Sequence, residues 1–205
     1  MILLCTILFS SAAVSQSALL SCDDLLKPLA QMPANHLEGR WALVAGSLSH
    51  PASLEALKQR DSITAFFHDS NHTTSTNYTQ VNRFPDGCQH LTYRLSRDGG
   101  AFTFLVEDGR FNLTGVFLRT SCPDCLVMRW DVESRRRASL DVYLLSSRRR
   151  EVEHGEMEEY RAQLECLGLP PPVVMSPTAE LCPEETGTSS TPAAAAAAAA
   201  TVSPE

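Results

Sequence analysis

The chain has 205 residues, of which 43% are hydrophobic and 20% charged, and its formal net charge is -7. That acidic balance argues against a nucleic-acid partner, whose phosphates need a broad basic face. No apolar run reaches the roughly 18 residues of a membrane-spanning helix, since the alanine run at 193–200 is short and weakly hydrophobic.

Residues 1–21 hold an apolar run from Ile2 to Phe9 followed by small residues at Ser11, Ala12, Ala13 and Ser15. Such a segment reads as a secretory leader cleaved between residues 15 and 21, which discards Cys5 and leaves an even set of six cysteines. Export places the protein in an oxidising, extracellular setting that permits disulfides. Three sequons, at Asn71, Asn77 and Asn112, agree with a secreted glycoprotein. Residues 22–185 suffice for one domain with one core. Residues 186–205 are mostly Thr, Ser, Pro and Ala, too poor in large apolar side chains to offset ordering entropy, and read as a disordered tail.

Within the domain, β-type segments follow one another at short spacing, at 40–46, 62–69, 76–83, 89–97, 101–107, 110–119, 125–132 and 138–147. Asp86-Gly87, Asp98-Gly99 and Asp108-Gly109 supply hairpin turns between them. Eight strands joined by short turns predict an all-β, up-and-down antiparallel barrel, wide enough for one small ligand. Pro51 starts a short helix over 51–60, with Leu54 and Leu57 on one face. A second helix over 156–167 carries Met157, Tyr160, Leu164 and Leu167 along one stripe, stops at Gly168 and packs outside the barrel.

Glycans must point away from a barrel, so Asn77 and Asn112 set the facing of their strands. Tyr78 and Gln80, and Phe111, Leu113, Gly115 and Phe117, then face inward. Up-and-down order gathers Arg83, Arg110 and Arg135–Arg137 at the end that carries the long loop after the first strand, where they would steer anionic head groups. Three readings stand for Cys122-Pro123-Asp124-Cys125: a local disulfide, a redox pair, or half of a zinc site. The redox motif belongs at a helix N-terminus and this one falls in a β-turn, while the zinc reading lacks two further ligands at compatible spacing.

The run Leu37-Glu38-Gly39-Arg40-Trp41, the segments Ala65-Phe66-Phe67, 126–132 and Val142-Tyr143, and the helix 159–167 ending past Cys166 together resemble the lipocalins. The likeness, strongest to the branch of alpha-1-acid glycoprotein, apolipoprotein M and the toxin-binding proteins of fish, spans about Cys22 to Cys182. It implies the pairings Cys22–Cys166 and Cys88–Cys182; the second cysteine of Cys122 and Cys125 departs from the two named relatives. It extends the inward face to Leu43, Phe67, Leu91, Tyr93, Leu95, Phe104, Met128, Trp130, Asp141 and Tyr143. It also implies a closed end at Gly39 and Trp41 with Arg148 stacked on the indole. Arg110 matches an arginine that meets the lipid phosphate in apolipoprotein M, although it shares the outward parity of Asn112.

Rings and aliphatic groups with a few polar side chains form the ordinary anatomy of a small-molecule pocket. The expected function is carriage of a small hydrophobic or amphipathic ligand by a secreted monomer, without cofactor or metal. A lipoprotein particle or a cell-surface receptor is a further expected partner. The alternatives are an extracellular modulator acting through its exterior and glycans, and a lipid-isomerising enzyme. Neither a Gly-x-Ser-x-Gly elbow nor a His-Glu-x-x-His motif is present in the sequence.

Overall fold

The computed structural model describes residues 21–32, 34–69, 75–105, 111–134 and 138–183. The expected leader up to residue 20, Asn71, Arg110, Arg135–Arg137 and the expected tail lie outside the described residues. Two short helices, α1 (Cys22–Leu25) and α2 (Ala34–Leu37), precede β1 (Gly39–Leu48), and α3 (Pro51–Lys58) follows it. Next come β2 (Ser62–Asp69), β3 (Ser75–Phe84), β4 (Gly87–Asp98), β5 (Ala101–Leu105), β6 (Phe111–Leu118), β7 (Cys125–Ser134) and β8 (Ala138–Ser146). Then α4 (His154–Cys166) and β9 (Val173–Val174) complete the order.

Each strand from β2 to β7 pairs antiparallel with its successor, and β1 pairs with both β8 and β2, which closes an eight-stranded barrel. Alternation sorts the side chains into two apolar layers. Trp41, Leu43, Phe67, Tyr78, Leu95, Phe104, Met128, Trp130 and Leu145 share the interior. Val44, Ala45, Val127, Val142 and Leu144 face out and are covered by Tyr160 and Leu164 of α4. A bulge between Leu43 and Ala45 turns two successive residues, Val44 and Ala45, toward that outer layer.

α4 is held by specific bonds as well as by burial. The Tyr160 hydroxyl donates to the Val142 carbonyl (2.8 Å), and Gln163 Nε2 donates to the carbonyls of Leu25 (3.0 Å) and Arg119 (2.8 Å). Its start lies two residues before the expected one because the Glu156 carboxylate reaches back to the Glu153 N–H at 2.7 Å, capping the first turn. Disulfides join Cys22 of α1 to Cys166 of α4, Cys88 of β4 to Cys182 of the C-terminal segment, and Cys122 to Cys125 within one turn.

Two features exceed the expected architecture. The N-terminal segment crosses one end of the barrel: the Leu29 N–H donates to the Phe117 carbonyl (2.8 Å), the Arg119 N–H donates to the Lys27 carbonyl (3.1 Å), and Arg97 donates to the Met32 carbonyl. The β4–β5 turn lies against it, with Gly99 at φ +59° and Gly100 so close that a Cβ there would stand 1.7 Å from the Leu29 carbonyl oxygen. At the opposite end β2 separates from β1 beyond Ala42, and β9 takes up the vacated edge by pairing Val174 with Ala45 and Val173 with Gly46. The Met175 N–H then donates to the Val44 carbonyl at 2.9 Å, and its side chain joins the interior layer.

Candidate ligand site

The wall strands bring most of the sequence-predicted lining residues to one surface. Leu43, Phe67, Tyr78, Leu95, Phe104, Met128 and Trp130 are buried in the interior layer, with Tyr93, Leu113 and Tyr143 packed against it. Leu91 is buried, and Gln80 stands across from it in the β3–β4 register. Asp141 lies opposite Trp130 on β8. Asn77 and Asn112 are exposed, on the other face of the same strands.

Rings from several strands meet inside the barrel. Trp130 of β7 lies 4.2 Å from Phe104 and 5.3 Å from Phe102 of β5, and 6.0 Å from Tyr78 of β3, centroid to centroid. Phe102 continues the stack to Phe117 at 4.9 Å, and Tyr78 to Phe67 at 5.2 Å. Gly115 makes room for it, since a Cβ there would stand 2.5 Å from the Phe102 ring. This level of the barrel is filled by aromatic side chains, so a ligand reaches it only by displacing rings.

Polar groups concentrate toward the end where α3 sits. The Tyr78 hydroxyl donates to Gln80 Oε1 (3.2 Å), Gln80 Nε2 donates to Asn82 Oδ1 (2.8 Å), and Asn82 Nδ2 donates to Gln89 Oε1 (3.2 Å). The Tyr143 hydroxyl donates to Asp141 Oδ2 at 3.4 Å. Burial pushes the phenols of Tyr78, Tyr93 and Tyr143 above their ordinary range; Tyr93 adds to this at Tyr78 and Asp141 at Tyr143, while the positive charge of Arg60 opposes it at all three. The Trp130 indole N–H is buried and has no acceptor among the described residues.

Arg60, Asn82 and Gln89 were not among the predicted lining residues. Asn82 and Gln89 continue the inward parity of Gln80 and Leu91 to the strand ends, so alternation alone could have found them. Arg60 lies in the connection after α3, where strand parity says nothing. Its backbone N–H donates to the Leu57 carbonyl (3.2 Å), and Leu57 is fully buried over the mouth. Gly46 allows that descent: a Cβ there would meet Leu57 Cδ2 at 3.0 Å and Tyr143 Cδ1 at 3.1 Å.

Beside this mouth a groove of about 590 Å³ runs between the end of α3 and the C-terminal segment, lined by Lys58, Arg60, Arg83, Val173, Met175 and Glu180 among others. Arg83 serves that segment rather than the interior, with its guanidinium 3.0 Å from the Glu180 carboxylate. At the closed end the Trp41 indole is buried and donates to the Leu37 carbonyl of α2 (2.8 Å), and Arg148 is exposed. The neighbouring Arg149 is engaged, binding Asp124 at 2.6 Å and Glu156 at 3.0 Å. It thereby ties the Cys122–Cys125 turn to the start of α4, and those two sulfurs are bonded to each other rather than disposed around a metal.

A family model described as ApoM domain matches residues 1–185. Among solved structures, the siderocalin Ex-FABP, described as functioning through dual ligand specificities, superposes with a TM-score of 0.59 at 16% identity, covering 76% of this chain and 99% of its own. The solution structure of lipocalin 12 from rat epididymis gives 0.65 at 15% identity, covering 75% of this chain and 90% of its own. No curated protein sequence matches the chain.

Proposed function

Because the chain belongs to the ApoM domain family of lipocalins, we propose that it is an exported glycoprotein carrying a small amphipathic molecule in the mouth half of its barrel. The observation that carries this reading is the Trp130 indole N–H, buried among rings without an acceptor among the described residues, which a ligand entering from the mouth half meets by moving those rings aside. A buried donor left unpaired costs about 1–3 kcal/mol, a cost that a ligand's oxygen would remove. The polar relay from Tyr78 to Gln89 and the tyrosine–carboxylate contact at Asp141 supply orienting groups beside the apolar lining. Export is supported by the leader-like residues 1–21, by three disulfides and by the exposed positions of Asn77 and Asn112.

All six cysteines of the described residues are in disulfides, so none offers a thiol to lipid isomerisation in the oxidised protein. The test is titration with an environment-sensitive apolar dye, followed by competition with fatty acids, retinoids and basic amphiphiles. Saturable binding at one site, with a change in Trp130 emission and displacement by one of these classes, is the expected result. Absence of saturable binding would overturn the carrier reading in favour of an extracellular partner-binding protein.

A further inference from the structure

The carrier reading leaves open how a ligand reaches the interior, and the inference below rests on that reading. We propose that residues 171–179 form a strap that Arg150 latches over a side window between β1 and β2, and that the ligand enters and leaves through this window.

The barrel wall is incomplete where β2 leaves β1, and β9 closes the gap with few bonds. Its ladder on β1 consists of two residue pairs and the bond from the Met175 N–H to the Val44 carbonyl. The next N–H groups of that parity would come from Pro171 and Pro177, which have none, so the ladder cannot lengthen. Val173 and Met175 line the groove outside and also pack in the interior layer, so the wall there is one side chain thick. An unbranched methionine turns aside more readily than Leu57, which is fully buried under α3 and covers the mouth.

The ends of the strap are fixed and its middle is folded. Ser47 Oγ donates to the Pro170 carbonyl (2.6 Å) and Ser62 Oγ to the Glu180 carbonyl (2.8 Å), with the Cys88–Cys182 disulfide just beyond. Between these points Ser176 to Ala179 make a turn, in which the Ala179 N–H donates to the Ser176 carbonyl at 3.3 Å. Arg150 clamps that turn by donating to the Ser176 and Ala179 carbonyls, each at 3.1 Å. A turn spans under about 7 Å where four extended residues span about 10 Å, so opening it gives the strap about 3 Å of slack. Spread along the roughly 17 Å of residues 171–175, that slack lets β9 bow outward by about 5 Å. The latch is also a weak one for an arginine. Among the described residues Arg150 has no carboxylate partner and its buried Nε has no acceptor, while burial and the neighbouring charge of Arg40 lower its pKa.

Two measurements on the intact oxidised protein test this. In amide hydrogen exchange, Arg150→Gln should speed exchange at Met175 about tenfold while the β7–β8 amides keep their protection. Equal protection at Met175 in both proteins, or an equal loss throughout the barrel, overturns the latch. In stopped-flow fluorescence with N-phenyl-1-naphthylamine as the probe, Arg150→Gln should raise the association and dissociation rates together, by about threefold or more, with Kd within about twofold. A disulfide tether made by Ala45→Cys and Val174→Cys, which face each other across β1 and β9, should slow both rates to a similar extent once its closure is confirmed by mass. Unchanged rates in the tethered protein overturn the window and send the ligand past α3, with the carrier reading intact. Failure of the probe, fatty acids, retinoids and basic amphiphiles alike to bind the parent protein removes the carrier reading and the passage with it.

Discussion

Replacing Cys88 and Cys182 by alanine opens a crosslink that spans 94 residues, whereas replacing Cys122 and Cys125 opens one that spans 3. In the chain-entropy account a crosslink stabilises by restricting the unfolded ensemble, in proportion to the logarithm of the loop it closes. That gives about 4.7 kcal/mol for the long bond and about 1.6 kcal/mol for the short one, a difference of about 3 kcal/mol that comes from the ratio of spans alone. Local packing works against this ranking, because Cys122 and Cys125 are both buried while Cys88 is exposed. Urea unfolding of the two double variants without reductant, followed by the fluorescence of the buried Trp41 and Trp130, measures both losses. Midpoints within about 1 kcal/mol of each other, or a greater loss for the short bond, would refute the entropic argument and assign the stabilisation to native contacts.

Gly115→Ala should destabilise by about 1–3 kcal/mol, since the new methyl meets the Phe102 ring at 2.5 Å and the Arg129 carbonyl at 2.7 Å; thermal unfolding reads the loss, and an unchanged midpoint contradicts the packing described. Hydrogen bonds from Arg149 hold the Asp124 and Glu156 carboxyls below their usual range, so their stabilisation is complete above the unfolded-state carboxylate pKa and declines as pH falls through the lower folded values. Arg149→Ala should therefore flatten the acid limb of the stability–pH curve, and an unaltered limb would place that pH dependence elsewhere. Protein from a secretory host should lose mass on treatment with an N-glycosidase, and Asn77→Gln and Asn112→Gln should each remove one glycan, which a mass spectrum counts.

Much of the barrel was legible because its two faces carry different chemistry. One glycosylation-type asparagine fixes the parity of its whole strand, and the hairpin register then transmits that parity to the neighbours: Tyr78 faces Tyr93, Leu95 faces Phe104, and Gly115 faces Trp130. Where no strand carries the residue, the rule is silent. Arg60 follows a helix and enters the mouth through the descent of Leu57, a tertiary contact with no local signature. β9 escaped because two valines after three prolines form no periodic pattern; what makes them a strand is the edge of β1 left unpaired when β2 turns away. The resemblance offered no sign of the bond that anchors Trp41, whose indole N–H donates to a carbonyl of α2 four residues earlier in the chain.

The two long disulfides interleave, with Cys88 lying between Cys22 and Cys166 and Cys182 beyond both. During synthesis neither can close until almost the whole domain has emerged, and only the bond from Cys122 to Cys125 has both ends available early. Oxidation of the nascent chain is thus ordered by geometry, with the local bond first and the two spanning bonds last. A thiol trap applied to ribosome-bound chains ending before Cys166 would catch Cys22 and Cys88 still reduced or mispaired, the stage at which an isomerase has the most to correct.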